Sequence, residues 1–133
     1  MANRRRKILV VDDLFDWRVT FSGLLKDAGY DVQVADSSAN ALNLLEADHF
    51  ALAVLDIRLD ESDEDNTEGL DLAAKIKERW PAIGIVIVTG YGTQDIMKRA
   101  LEPDARGRRL AVDYVPKTET EKLVGIVQQA LAH

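Results

Sequence analysis

The chain has 133 residues, 47% of them hydrophobic, no cysteine, and a formal net charge of −6 at pH 7. This length suits one domain with a single core. Without cysteine, disulfides, thiolate metal sites and cysteine nucleophiles are excluded, and the negative charge argues against nucleic-acid binding by this chain. The longest apolar run, 50–55, is far too short to cross a membrane, and nothing before it resembles a signal peptide. We therefore expect a cytoplasmic protein.

Apolar runs that suit strands alternate with helical patterns in the first half of the chain. The first run, Ile8–Val11, is continuously apolar, as expected of a strand that is buried on both faces. The helical pattern that follows stops at Gly29, a common residue just past a helix end. The predicted elements are strand Ile8–Val11, helix Trp17–Ala28, strand Val32–Ala35, a helix capped by Ser37 or Ser38, and strand Phe50–Leu55.

The second half continues this alternation after a polar loop over 60–68. Its predicted elements are a helix capped by Thr67 that ends before Pro81, strand Ile83–Val88, helix Thr93–Leu101, strand Ala111–Val115 and helix Glu119–Leu131. Five strand–helix units predict an α/β domain with a doubly wound parallel sheet. We expect one domain over 1–133, with its core in 7–131 and a basic tail in 1–6.

Polar residues follow four of the five predicted strands, at the ends where the strands of a parallel sheet converge. Asp12 and Asp13 follow the first strand and Asp56 follows the third. Together they predict a three-carboxylate pocket, which Mg²⁺ would neutralise, and Asp56 could also act as a nucleophile. Thr89 and Lys117 could hold a phosphoryl group. Taken singly, the aspartate pair could instead cap a helix, Thr89 could be a turn residue and Lys117 a surface residue.

The sequence resembles the receiver domain of two-component response regulators over residues 7–131. Asp13 and Asp56 are 43 residues apart, which is typical of that family. The stretches that match the family are 8–13, 55–59, 88–92 and 113–117. No single one of these stretches is specific for the family, but their occurrence together in this order is.

The resemblance implies both a fold and a set of roles. The fold is the CheY-like, flavodoxin-like one, with five parallel strands in the order 2-1-3-4-5. Asp56 would accept a phosphoryl group from a histidine kinase or a histidine phosphotransfer protein, and the chain would then signal to a partner or an output domain, as a monomer or a homodimer. The implied site consists of Asp12, Asp13, Asp56 and the backbone carbonyl of Arg58 for Mg²⁺, Thr89 and Lys117 for the phosphoryl oxygens, and Tyr114 as the switch aromatic.

Two bulky residues lie where the family flanks the attacking water of dephosphorylation. These are Arg58, two residues beyond Asp56, and Tyr91, two residues beyond Thr89. We therefore predict slow self-dephosphorylation. Small residues at both positions that left the decay rate unchanged would contradict this.

Three features depart from the family pattern. Gly69 lies 13 residues beyond Asp56, farther than the corresponding glycine usually does, because of an acidic insertion near 60–67. Thr89 and Lys117 are 28 residues apart because of a basic insertion near 102–110, which makes the ordinary dimer mode doubtful. Thr118 replaces the usual proline after Lys117, so we expect no cis peptide there and a less firmly held Lys117, since a non-proline cis bond costs about 2.5–4 kcal/mol.

Two other readings compete with a phosphorylated receiver, which would not be a conventional turnover enzyme. A pseudo-receiver would act only as a protein-interaction module without phosphorylation, and the two insertions are compatible with it. A hydrolase of the haloacid dehalogenase type also uses a strand-end aspartate. That family needs a second acid two residues after the nucleophile, where this chain has Arg58.

Overall fold

A computed structural model describes residues 6–57, 68–90, 101–103, 105–107 and 109–132. The five strands pair in parallel in the order β2-β1-β3-β4-β5. This confirms the predicted doubly wound α/β architecture and its strand order. The strands are β1 Lys7–Val11, β2 Asp31–Ala35, β3 Leu52–Asp56, β4 Gly84–Thr89 and β5 Asp113–Pro116.

The described helices follow the predicted alternation. They are α1 Phe15–Asp27, α2 Ser38–Ala47, α3 Glu68–Arg79, a 3₁₀ helix Lys117–Lys122 and α4 Leu123–Leu131. Ser37 is the N-cap of α2, since its hydroxyl accepts a hydrogen bond from the Asn40 N–H at 3.2 Å. Residues 60–67 of the predicted polar loop, including the Thr67 cap, and nearly all of the helix predicted at 93–101 lie outside the described residues, whereas Glu68, predicted as loop, begins α3. None of the helices described here has the length and apolar character needed to span a membrane.

The central strands β1, β3 and β4 are buried on both faces of the sheet. Successive residues of each strand point to opposite sides, and helices cover each side. Leu9, Leu55 and Ile87 belong to one core cluster, which α2 and α3 cover. Val10, Val54 and Val88 belong to the other, which α1 and α4 cover. The continuous apolar runs in the sequence are the direct consequence of this three-layer arrangement.

Several predicted boundaries were wrong, by one to four residues. Phe50 and Ala111 are buried but lie just before β3 and β5, because a loop residue that packs into the core looks like a strand residue in sequence. The predicted final helix is α-helical only from Leu123, because the residues before it form the 3₁₀ helix Lys117–Lys122, in which Glu119 has a non-helical backbone (φ −131°, ψ 47°). The start of α1 is Phe15, two residues before the predicted start at Trp17.

Candidate functional site

The register of the sheet brings the predicted site residues to one edge. Val11 pairs with Leu55, so Asp12 leaves β1 beside Asp56 at the end of β3. Thr89, the last residue of β4, pairs with Pro116, and Lys117 follows directly. The polar residues therefore meet because four adjacent strands, β1, β3, β4 and β5, end at nearly the same level.

Three carboxylates form a cluster at this edge. One oxygen from each of Asp12, Asp13 and Asp56 lies within 4.8 Å of the other two. Asp12 and Asp56 are 0% and 2% exposed, whereas Asp13 is partly exposed. Carboxylates that lie this close together and are largely shielded from water repel one another, so they require a cation nearby.

Lys117 supplies one cation within the protein. Its Nζ lies 3.0 Å from Asp12 Oδ2 and 3.2 Å from Asp56 Oδ2, and its side chain is only 7% exposed. A Cβ added at Gly90 would lie 3.6 Å from the Lys117 Cδ, so the lysine stem runs along the end of β4. One ammonium thus bridges two of the three carboxylates.

The backbone around Asp12 fixes its carboxylate. The Leu14 N–H donates to Asp12 Oδ1 at 3.0 Å, and the Arg18 guanidinium donates to the Asp12 carbonyl at 2.8 Å. Burial nevertheless raises the pKa of the Asp12 carboxyl above its ordinary value of 3.8, with a further rise from the Asp13 charge, against the opposing effects of Leu14 and Lys117. Ionised Asp12 therefore opposes folding.

This raised pKa predicts how stability depends on pH without Mg²⁺. Folded Asp12 holds its proton more tightly than unfolded Asp12 does. Its contribution to the free energy of unfolding is therefore fully present below pH 3.8 and is lost as the pH rises through the raised folded pKa. Asp12→Asn cannot titrate, so we expect its stability relative to the parent to grow as the pH rises through this window. Urea unfolding in chelator at a series of pH values measures the difference.

Asp36→Asn is the matched control, because its pKa shift has the opposite sign. The Asn40 side chain donates to Asp36 and holds the pKa of that exposed carboxyl below 3.8. The stability that ionised Asp36 contributes is present above pH 3.8 and is lost as the pH falls through the lowered folded pKa. Asp36→Asn should therefore be less stable than the parent above pH 3.8, and this difference should disappear in acid. A stability difference for Asp12→Asn that did not vary with pH would contradict the prediction.

The donor set fits a hard divalent cation. Asp12 Oδ2 is buried and makes no hydrogen bond within the described part of the chain, despite its ion pair with Lys117. Mg²⁺ prefers oxygen ligands and needs only one or two carboxylates while it keeps several waters. Asp12, Asp13 and Asp56 provide such ligands, whereas Arg58, predicted to add its carbonyl, lies outside the described residues.

Gly69 joins the first turn of α3 to the end of β3. Its N–H donates to the Ile57 carbonyl at 2.8 Å. A Cβ at this position would lie 1.8 Å from the Asp56 carbonyl oxygen and 2.7 Å from the Ile57 Cα. Only glycine allows this approach, so Gly69 contacts the backbone of Asp56 although the insertion places it unusually far along the sequence.

Two further predicted residues, Thr89 and Tyr114, lie on β4 and β5. Thr89 is buried at the end of β4. Tyr114 lies on β5 opposite Ile87 and is exposed. Tyr91, like Arg58, lies outside the described residues, so the prediction of slow dephosphorylation stays a prediction.

Trp17 and Arg18 are the site neighbours that sequence reasoning missed. The sequence placed Trp17 only at the start of the predicted helix Trp17–Ala28, yet the centroid of its ring lies 5.1 Å from Lys117 Nζ. A signal was present, since a helix that starts directly after a strand-end aspartate pair must place its first-turn side chains beside that pair.

Comparisons with known proteins agree with this geometry. The sequence pattern of the family described as "Response regulator receiver domain" matches residues 8–128. A response regulator named NtrX-like from Rickettsia bellii is 33% identical over 124 residues, which cover 92% of this chain and 24% of the relative. The alginate biosynthesis transcriptional regulatory protein AlgB of Pseudomonas aeruginosa is 36% identical over 116 residues, 87% of this chain and 23% of the relative.

A solved structure matches over nearly its whole length. The receiver domain of NtrX from Brucella abortus superposes with a TM-score of 0.79 at 30% identity, covering 94% of this chain and 98% of that one. The chain thus covers nearly all of that receiver domain, but spans about a quarter of the length of the two curated relatives.

Proposed function

The chain belongs to the family of response regulator receiver domains, and on this basis we propose that Asp56 accepts a phosphoryl group from a histidine kinase or a histidine phosphotransfer protein. The observation that carries the proposal is the position of Asp56, which is buried at the end of β3 beside two further carboxylates and a lysine. A structural aspartate would not need two neighbouring acids, which raise the cost of its charge.

The proposed reaction transfers a phosphoryl group between two nucleophiles. A carboxylate oxygen of Asp56 forms a bond to phosphorus as the bond between phosphorus and the donor imidazole nitrogen breaks, and that nitrogen keeps the electron pair. Lys117 already lies 3.2 Å from Asp56 and would follow the charge to a phosphoryl oxygen. The Thr89 hydroxyl would donate to another phosphoryl oxygen.

Asp12, Asp13 and Asp56 would hold Mg²⁺ in this reaction. When bound, the ion would neutralise the carboxylates and reduce their repulsion of the incoming phosphoryl group. The residues of the chain would hold the nucleophile in line and keep its surroundings dry.

Phosphorylation would also change the conformation. An acyl phosphate on Asp56 adds negative charge at the ends of β3 and β4, which would attract Thr89 and its loop. Tyr114 is exposed on the neighbouring strand and could then turn inward. This surface would signal to a partner or an output domain, in keeping with the transcriptional regulator among the relatives.

The test is phosphorylation by a small phosphodonor. The protein is incubated with acetyl phosphate and Mg²⁺, and its intact mass is compared with that of Asp56→Asn and of a sample with chelator. We expect a gain of one phosphoryl group in the parent only. No gain at any Mg²⁺ concentration would refute the proposal and favour the pseudo-receiver.

A further inference from the structure

Lys117 has an aromatic neighbour in addition to its two carboxylates. Its Nζ lies 5.1 Å from the centroid of the Trp17 ring. The lysine side chain is 7% exposed, so this ammonium interacts with the ring face with little competition from water. The ammonium has three N–H donors; it donates to Asp56 Oδ2 at 3.2 Å and forms an ion pair with Asp12 Oδ2 at 3.0 Å.

Trp17 is held rigidly where it meets Lys117. Its ring stacks on Phe21 with a centroid distance of 5.3 Å and an interplanar angle of 18°. Phe21 is fully buried in the core cluster that includes Val88 and Val115. The indole ring is thus packed against the core beside β4, which ends at Thr89, and β5, which ends just before Lys117.

The backbone at Lys117 connects β5 to a 3₁₀ helix. All described peptide bonds are trans, including the one to Thr118, as predicted. Lys117 opens a 3₁₀ helix that Glu119 interrupts two residues later. The charge sits at the end of a flexible four-carbon stem, so side-chain neighbours must determine where it lies.

From these contacts we propose that Trp17 is a positioning residue, which holds the Lys117 ammonium against Asp12 and Asp56 by a cation–π contact. The proposal rests on the function proposed for Asp56 and extends it to α1. The attraction of an ammonium to a ring face has little directionality compared with a hydrogen bond. Lys117 can therefore move from the carboxylate to a phosphoryl oxygen while it keeps contact with the ring.

A double-mutant cycle tests the contact without requiring phosphorylation. The parent, Trp17→Leu, Lys117→Met and the double variant are unfolded in urea without Mg²⁺. Methionine keeps the unbranched stem, so the cycle isolates the charge. We expect the double variant to lose less stability than the sum of the single losses, and Trp17→Phe to keep part of this coupling. If the two single losses in the free energy of unfolding simply add in the double variant, the proposal is overturned and Trp17 only packs against the core.

Phosphorylation rates then test the positioning. With saturating acetyl phosphate and Mg²⁺, we expect Trp17→Leu to slow phosphorylation by roughly tenfold or more and Trp17→Phe to recover part of the rate. Phe15→Leu is the control, since Phe15 also has a cation over its ring, Arg18 at 5.8 Å, but is 67% exposed, and its rate should not change.

The two experiments separate the two proposals. If the parent gains no phosphoryl group, the function proposed for Asp56 fails, while the cycle still decides whether Trp17 holds Lys117. If the cycle shows coupling but Trp17→Leu is phosphorylated at the parent rate, the positioning role is wrong and the proposed function stands.

Discussion

Replacing Lys117 with methionine should both destabilise the protein without Mg²⁺ and slow its phosphorylation. The substitution leaves Asp12 and Asp56 buried without their common cation, and removing one partner of a buried ion pair typically costs about 3–5 kcal/mol. Mg²⁺ should restore part of this loss by binding the same carboxylates. Phosphorylation should slow by about 10²–10³-fold, as when a preorganised donor to a developing charge is removed.

Lys122→Met is the matched control for this prediction. Lys122 makes an ion pair at 3.1 Å with Glu119, but its side chain is 57% exposed. Such a pair stabilises a protein by at most about 0.5 kcal/mol, and it lies outside the carboxylate cluster. Urea unfolding with and without Mg²⁺, together with phosphorylation rates, compares the two variants. Equal behaviour of both would show that Lys117 is not the cation of the site.

Gly69→Ala should be the most damaging change of a single methyl group in the described part of the chain. The new Cβ would lie 1.8 Å from the Asp56 carbonyl oxygen, so backbone must move, which we expect to cost about 3 kcal/mol. Because α3 and β3 would separate at Asp56, phosphorylation should slow as well. Urea unfolding and the phosphorylation rate measure the two effects.

Gly125→Ala provides the opposite expectation for the same substitution. Gly125 is exposed in α4, and a Cβ there would meet nothing within 4 Å. Alanine should stabilise the helix by about 0.5–1 kcal/mol. A Gly69→Ala variant as stable as Gly125→Ala would mean that α3 does not contact the end of β3 as described.

The sheet and the carboxylate cluster could be predicted because they depend on short-range patterns. Strands buried on both faces appear as continuous apolar runs, and their ends converge by the geometry of a parallel sheet. Asp12, Asp13 and Asp56 could therefore be placed together before any distance was known. Lys117 followed from the same rule, although its contacts with Asp12 and Asp56 did not.

The contacts between layers could not be predicted in this way. The Gly69 contact depends on how closely α3 approaches β3, which hydrophobic periodicity does not determine. The Trp17 contact with Lys117 depends on how α1 packs against the sheet, which helical spacing does not determine either. A tryptophan at helical spacing predicts burial equally well whether it meets a core residue or a functional lysine.

Identifying the residue that carries the phosphoryl group tests the proposed role of Asp56 directly. The protein is phosphorylated with acetyl phosphate and Mg²⁺ and then treated with borohydride, which reduces an acyl phosphate of aspartate to homoserine. Peptide mass spectrometry identifies the changed residue. We predict homoserine at position 56 alone. An unchanged Asp56, with the phosphoryl group at another residue, would contradict the proposal that Asp56 is the phosphoacceptor.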